Sequence, residues 1–230
     1  ALTQPGGTVK IDQVKLDVRY LKESMRDSAN WEGKYEANVL PTNPAEGWIK
    51  KNSPVGTVSK GILTLGDKSG GDDGYRKNMA AAKHGMSFEY RIRVTAGPEK
   101  GKAFDSHSPN APSTGEGIGL TSFALSDFGA TPHAAAWRHS KPRATSNIDI
   151  TRFHTYRYTY RADSLKVSLY VDDNPTAVST ATSGPNGCRP PSYIEFWPSH
   201  DSSVIELDYV RWTTNGAYAP VSPRRTKTRE

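Results

Sequence analysis

Apolar and polar residues alternate with period two over much of the chain. In residues 87–94 the even positions Phe88, Tyr90, Ile92 and Val94 are apolar, and the odd positions Ser87, Glu89, Arg91 and Arg93 are polar or charged. Successive side chains of a strand point to opposite faces. The run therefore predicts a strand with one face in a core and Glu89, Arg91 and Arg93 sharing the other. Residues 153–161 repeat the pattern, with His154, Tyr156, Tyr158 and Tyr160 against Thr155, Arg157, Thr159 and Arg161. Residues 165–171 alternate Leu165, Val167, Leu169 and Val171 and then meet Asp172-Asp173-Asn174-Pro175, a turn. In residues 193–198, Ile194 and Phe196 oppose Tyr193, Glu195 and Trp197, and in residues 205–212 Ile205, Leu207 and Tyr209 alternate with Glu206 and Asp208. These runs predict antiparallel strands, the last of them closing a sheet.

Weaker segments fill in the rest. Residues 39–41, 47–48 and 61–65 read as short strands joined by Pro, Gly and Asn loops, and residues 118–126 and 134–140 as two further strands. Residues 97–117 read as long polar loops, and residues 1–10 as a Pro/Gly-punctuated arm. Residues 11–27 fit both a strand (Val14, Leu16, Val18, Tyr20) and a helical stripe (Ile11, Val14, Val18, Leu21, Met25), and a strand followed by a helical turn is expected. Residues 67–74 form a Gly/Asp loop. Its clustered oxygen ligands suit calcium, but its acid spacing is not that of an EF-hand, and a solvated turn is the simpler account.

A chain of 230 residues rich in turn formers, with 20 Gly and 16 Pro, suits one large all-β domain over residues 1–220 followed by a basic tail at 221–230. The net charge of +6 favours polyanionic partners, but four of the cations lie in residues 224–229, and the basic residues form no block interleaved with aromatics. A nucleic-acid partner is therefore not expected. No run of about 20 apolar residues exists, so neither a membrane-spanning helix nor a membrane partner is expected. The single cysteine, Cys188, sits in a Gly/Pro loop and forms no internal disulfide. The chain opens at Ala1 with neither Met nor an apolar leader, and a mature or trimmed secreted form, extracellular or periplasmic and monomeric, is the expectation.

The closing run Leu207-Asp208-Tyr209-Val210-Arg211-Trp212 resembles the Asp-Tyr-Val-Arg-aromatic strand of concanavalin A-like lectin/glucanase domains. The pair His154-Thr155-Tyr156-Arg157 and Leu169-Tyr170-Val171-Asp172-Asp173 is similar to the hairpin of that superfamily, with Asp173 where Gly is frequent. With the runs at 61–65 and 88–94, the resemblance spans residues 31–220. It implies a two-sheet antiparallel β-jelly roll with a concave groove open to a saccharide. It requires no cofactor and allows a structural calcium ion, with Asp208 as the candidate ligand.

A glycan lies in such a groove by stacking on aromatic faces while polar side chains meet its hydroxyls. Glu89, Arg93, Trp137, Glu195 and Trp197 are the candidate substrate-binding residues. A salt-bridge ladder on the convex sheet is the other account of Glu89, Arg91 and Arg93, and a core position that of the two tryptophans. Laminarinase-type hydrolysis needs two carboxylates about 5 Å apart on one strand, as in Glu-x-Asp-x-Glu, and that signature is absent. β-Elimination from an acidic, uronate-containing polysaccharide needs a cation to neutralise the carboxylate and a His or Tyr to remove the adjacent proton. Arg91, Arg93 or Arg138 would hold the carboxylate. His139 is the candidate base, with His84 and, despite its core parity, Tyr90 as alternatives. A polysaccharide lyase is thus the leading expectation and a non-catalytic lectin-like module the other. The six histidines show no zinc spacing, and no nucleophile elbow, phosphate loop or dinucleotide fingerprint is present.

Overall fold

The computed structural model describes residues 29–66, 73–100, 102–110, 119–126, 133–138, 141–182 and 193–221. The expected arm and the ambiguous segment at 11–27, Cys188, His139 and the basic tail lie outside the described residues, as does most of the loop at 67–74. Fifteen strands and no helix make up the described chain: β1 (Gly33–Tyr35), β2 (Ile49–Lys51), β3 (Val55–Ser59), β4 (Ile62–Gly66), β5 (Gly74–Asn78), β6 (Gly85–Ala96), β7 (Lys102–Asn110), β8 (Gly119–Ser126), β9 (His133–Arg138), β10 (Lys141–Asn147), β11 (His154–Arg161), β12 (Lys166–Val171), β13 (Ser179–Thr182), β14 (Tyr193–Pro198) and β15 (Val204–Thr213).

They form two antiparallel sheets, as expected for a jelly roll. The first runs β13-β12-β11-β6-β15-β4-β3, with β1 added to the C-terminal half of β15, and the second runs β10-β9-β8-β7-β14-β5-β2. Alternation explains the packing. Phe88, Tyr90, Ile92 and Val94 of β6, Tyr156 and Tyr158 of β11, and Phe196 of β14 are all fully buried in one core. Phe88 stacks on Tyr158 at 4.7 Å between centroids. Trp48 meets Phe196 of the second sheet edge-on at 5.3 Å and Trp212 of the first at 5.8 Å, joining the two layers. Each such aromatic contributes roughly 1.5–3 kcal/mol by leaving water.

Five expectations change, among them the short strand at 47–48, where β2 begins instead at Ile49. Residues 39–41 form a bend and a turn in place of a strand: Ala37 takes a positive φ of 48°, and the Asn43 N–H donates to the Leu40 carbonyl at 2.9 Å. Residues 102–110, read as loop, form β7, an interior strand between β8 and β14. Leu165 lies in a turn at φ 51°, and the strand starts at Lys166. Tyr209 also departs from its expected parity: Ile205 and Leu207 face the core, but the register slips between Leu207 and Tyr209. This bulge hands the core face to Val210 and Trp212 and turns Tyr209 and Arg211 outward, where Tyr209 donates to Glu89 Oε1 at 2.9 Å.

Candidate functional site

Apart from the core residue Tyr90 and His139 outside the described residues, the sequence-predicted site residues divide between the two sheets. On the first sheet, Glu89 stands directly opposite Arg157 on β11 and Arg211 on β15. Its carboxylate accepts from Arg157 Nε at 2.7 Å and from Arg211 Nε at 2.8 Å, and Trp31 covers both guanidinium groups at 5.2 and 4.9 Å. Arg93 pairs with Glu206 at 2.7 Å, Arg91 pairs with Asp208, and Phe153 lies against both arginines. The outer face of this sheet is thus a ladder of alternating charge, the other account that the alternation allowed for Glu89, Arg91 and Arg93. Tyr90 is on neither face. It is fully buried between the sheets with its hydroxyl 2.6 Å from Ser106 Oγ, and burial pushes its phenol above the ordinary tyrosine range, which is the wrong direction for a base.

Asp208 was the candidate calcium ligand, and its surroundings do not fit a cation. Its carboxylate is taken by the Arg91 guanidinium, and among the described residues no group of three acidic, His or Cys side chains converges to hold a metal ion. At the edge of the loop at 67–74, Asp73 is buried and accepts a hydrogen bond from the Ser53 N–H at 3.0 Å.

The second sheet gathers the remaining candidates. On β14, Ile194 and Phe196 enter the core between the sheets, so Glu195 and Trp197 share the opposite face. Yet both are buried there, at 5% and 2% exposure, and Trp197 offers no open ring face to a sugar. Arg76 of β5 alternates in the same way with core residue Tyr75 and stands opposite Glu195. Arg76 donates to Glu195 Oε2 from Nε at 3.0 Å and from Nη2 at 2.8 Å, while Lys51 Nζ of β2 lies 3.4 Å from Oε1. Two aromatic rings complete the arrangement: Lys51 Nζ sits 3.8 Å from the Trp197 ring centroid, and Arg76 lies 4.2 Å from that of Tyr193. Beside Trp197 in the register, Asp105 of β7 accepts from Lys102. Burial and then the Glu195 charge push the Tyr193 phenol upward, against a smaller opposing effect of Arg76.

Backbone register extends this site across the sheet. Glu195 pairs with His107 of β7, His107 with Ser122 of β8, and Ser122 with Trp137 of β9, so all four occupy one level of the sheet. Three strand spacings of roughly 4.8 Å separate the ends of this row. Arg138 is the last residue of β9, and His139 follows it outside the described residues. Trp137, Arg138, Glu195 and Trp197 thus belong to one sheet, whereas Glu89, Arg91, Arg93 and Asp208 belong to the other.

Alternation singles out Tyr193, Glu195 and Trp197 on one face of the strand, but it does not point to their partners Arg76 and Lys51 or to the register neighbour His107. Arg76 and Lys51 are 119 and 144 residues from Glu195 in sequence, and only strand pairing brings them there. The one visible signal was that Arg76 follows an apolar Tyr75 beside a Gly/Asp loop.

No protein-family model and no curated protein matches the chain. Solved structures do. The carbohydrate recognition domain of Emp46p in its potassium-bound form is 11% identical over 78% of this chain and 94% of that one, with a TM-score of 0.52. A Bacillus licheniformis β-glucanase is 14% identical over 81% and 99%, with a TM-score of 0.50. The CBM2 module of the evolved Dit protein of Lactobacillus casei BL23 phage J-1 is 12% identical over 78% and 93%, also at 0.50. At such identities the likeness is one of fold alone: the chain has a two-sheet antiparallel jelly roll like that of these domains.

Proposed function

We propose, from this shared scaffold, that the chain is a carbohydrate-active protein that takes an acidic polysaccharide across the outer face of the β10–β2 sheet. The observation that carries the proposal is the row Trp137, Ser122, His107 and Glu195, which ends in a carboxylate clasped by Arg76 and Lys51 beside Trp197 and Tyr193. Glu195 and Trp197 are themselves buried, and they hold the more exposed Arg76 and Lys51, beside Tyr193, on the face where a charged sugar chain would meet cations and an aromatic ring. The same scaffold carries the carbohydrate recognition domain and the glucanase named above.

The finer proposal is cleavage of a uronate polymer by β-elimination, in a secreted, extracellular or periplasmic setting. The Arg76 guanidinium would neutralise the uronate carboxylate, and His139 would take the proton from the adjacent carbon as the bond to the leaving oxygen breaks and return a proton to that oxygen. Arg138 occupies the alternate, core-side position of β9, in step with Ala134, which pairs with core residue Leu125. One observation favours a second reading, a lectin-like module without catalysis. Both described cations that flank Glu195 already share its charge, and Tyr193 beside them is held in its neutral form.

Incubation with a uronate polymer separates the two. New ultraviolet absorbance from unsaturated uronate ends is expected from the lyase. Retention on the polymer without that signal supports the module, and neither retention nor product would overturn the proposal.

A further inference from the structure

We propose that a shallow depression built at the junction of β6 and β11 is an oxyanion-binding site, with Lys83, His84 and Arg161 as its donors. This goes beyond the proposed function, which uses the other sheet. The depression has a volume of about 580 Å³ and is lined by Lys83, His84, Arg161, Ala162, Asp163 and Ala217. Three stretches meet there: the β5–β6 connection, the turn after β11, and the segment following β15.

Gly85 makes this meeting possible. It pairs with Arg161 in the sheet, so Lys83 and His84 arrive beside Arg161 and Asp163. Its φ is +123°, and a Cβ placed there would lie 2.5 Å from the Tyr160 carbonyl oxygen and 3.3 Å from the Ala217 nitrogen. Only glycine accepts both the conformation and the close approach. The third stretch is also clamped: Ser87 Oγ donates to the Gly216 carbonyl at 2.9 Å and accepts the Tyr218 N–H at 2.7 Å. Small residues, Ala162 and Ala217, leave the space open, and charged residues rim it.

The donors outnumber their acceptors. Asp163 engages Nε and Nη2 of Arg161 at 3.2 and 2.7 Å and holds the guanidinium in place, with Nη1 outside that pair. Lys83 and His84 are exposed, and no side-chain hydrogen bond or ion pair engages either among the described residues. Two permanent cations thus face one carboxylate, with the His84 imidazole beside them. An oxyanion offers acceptors to the Lys83 ammonium and to the Arg161 N–H groups outside its pair with Asp163. Carboxylate and sulfate share that chemistry, as free anions or as groups on an acidic glycan. The site is open to solvent, so binding is weak and salt-sensitive.

The test follows the His84 imidazole signals of the full chain by NMR, assigned by loss of the signals in His84→Gln. Inorganic sulfate is added first, and a uronate oligosaccharide in a separate titration. Saturable movement of the His84 signals is expected, and Lys83→Gln should weaken it about threefold, as for one screened charge contact. Movement with sulfate alone supports a free-oxyanion site, and tighter binding of the oligosaccharide supports a glycan subsite. No saturable movement with either anion, or equal affinity in wild type, Lys83→Gln and Arg161→Gln, overturns the proposal. Arg76→Ala, on the other sheet, should leave these shifts unchanged, so this outcome is independent of the proposed glycan face.

Discussion

Glu89 and Arg157 stand opposite each other on β6 and β11, both closed off from solvent, and Arg157 Nε donates to Glu89 Oε2 at 2.7 Å. The same carboxylate also takes Arg211 and the Tyr209 hydroxyl. A buried ion in such a network is costly to orphan, because its partners keep their charge without compensation. Glu89→Ala should therefore lower unfolding free energy by about 3–5 kcal/mol. Denaturant titration checks this. A loss below about 1 kcal/mol, the range of an exposed pair, would show that the cluster is not a structural unit.

Tyr90 belongs to the core. Tyr90→Phe should cost about 1–3 kcal/mol, because Ser106 Oγ loses the buried partner 2.6 Å away. Any cleavage of a uronate polymer should continue at the wild-type rate in this variant. Abolished cleavage with an intact fold would return Tyr90 to the site.

High pH should weaken the fold. Burial, reinforced by Glu89 at Tyr209 and by Asp172 at Tyr156, pushes the phenols of Tyr90, Tyr156 and Tyr209 above the ordinary tyrosine value. A pKa raised in the folded state favours the neutral form there. Its contribution is complete below the unfolded value near 10 and is lost as pH climbs toward the raised folded values. Urea midpoints should stay level up to about pH 9 and fall above about pH 10. A midpoint that rises over that interval would contradict the burial of these rings.

The strands that pack on both faces were legible from alternation alone: β6, β11, β12 and β14 place their apolar residues where period two puts them. β7 was not, because its run Lys102–Asn110 carries serines and a proline and reads as loop, although Ser106 reaches into the core to meet Tyr90. Tyr209 was misplaced because a bulge, which leaves no mark on hydrophobic period, reverses parity midway along β15. The candidate site was half legible for a related reason. Glu195 and Trp197 announce an outward face, but nothing local assigns Glu89 and Glu195 to different sheets, and that assignment decides which residues share a surface.

Arg76 and Arg91 give the most direct test of the glycan face. Each is paired with a carboxylate, and their side chains are 38% and 40% exposed, yet they lie on different sheets with their outer faces opposed. Retention of the Arg76→Ala and Arg91→Ala variants on an immobilised uronate polymer should be measured, with thermal melting to confirm that both fold. Arg76→Ala should weaken retention about tenfold, the equivalent of about 1.4 kcal/mol, while Arg91→Ala binds like the wild type. Weakened retention in Arg91→Ala with none in Arg76→Ala would place the polysaccharide on the other sheet and contradict the account.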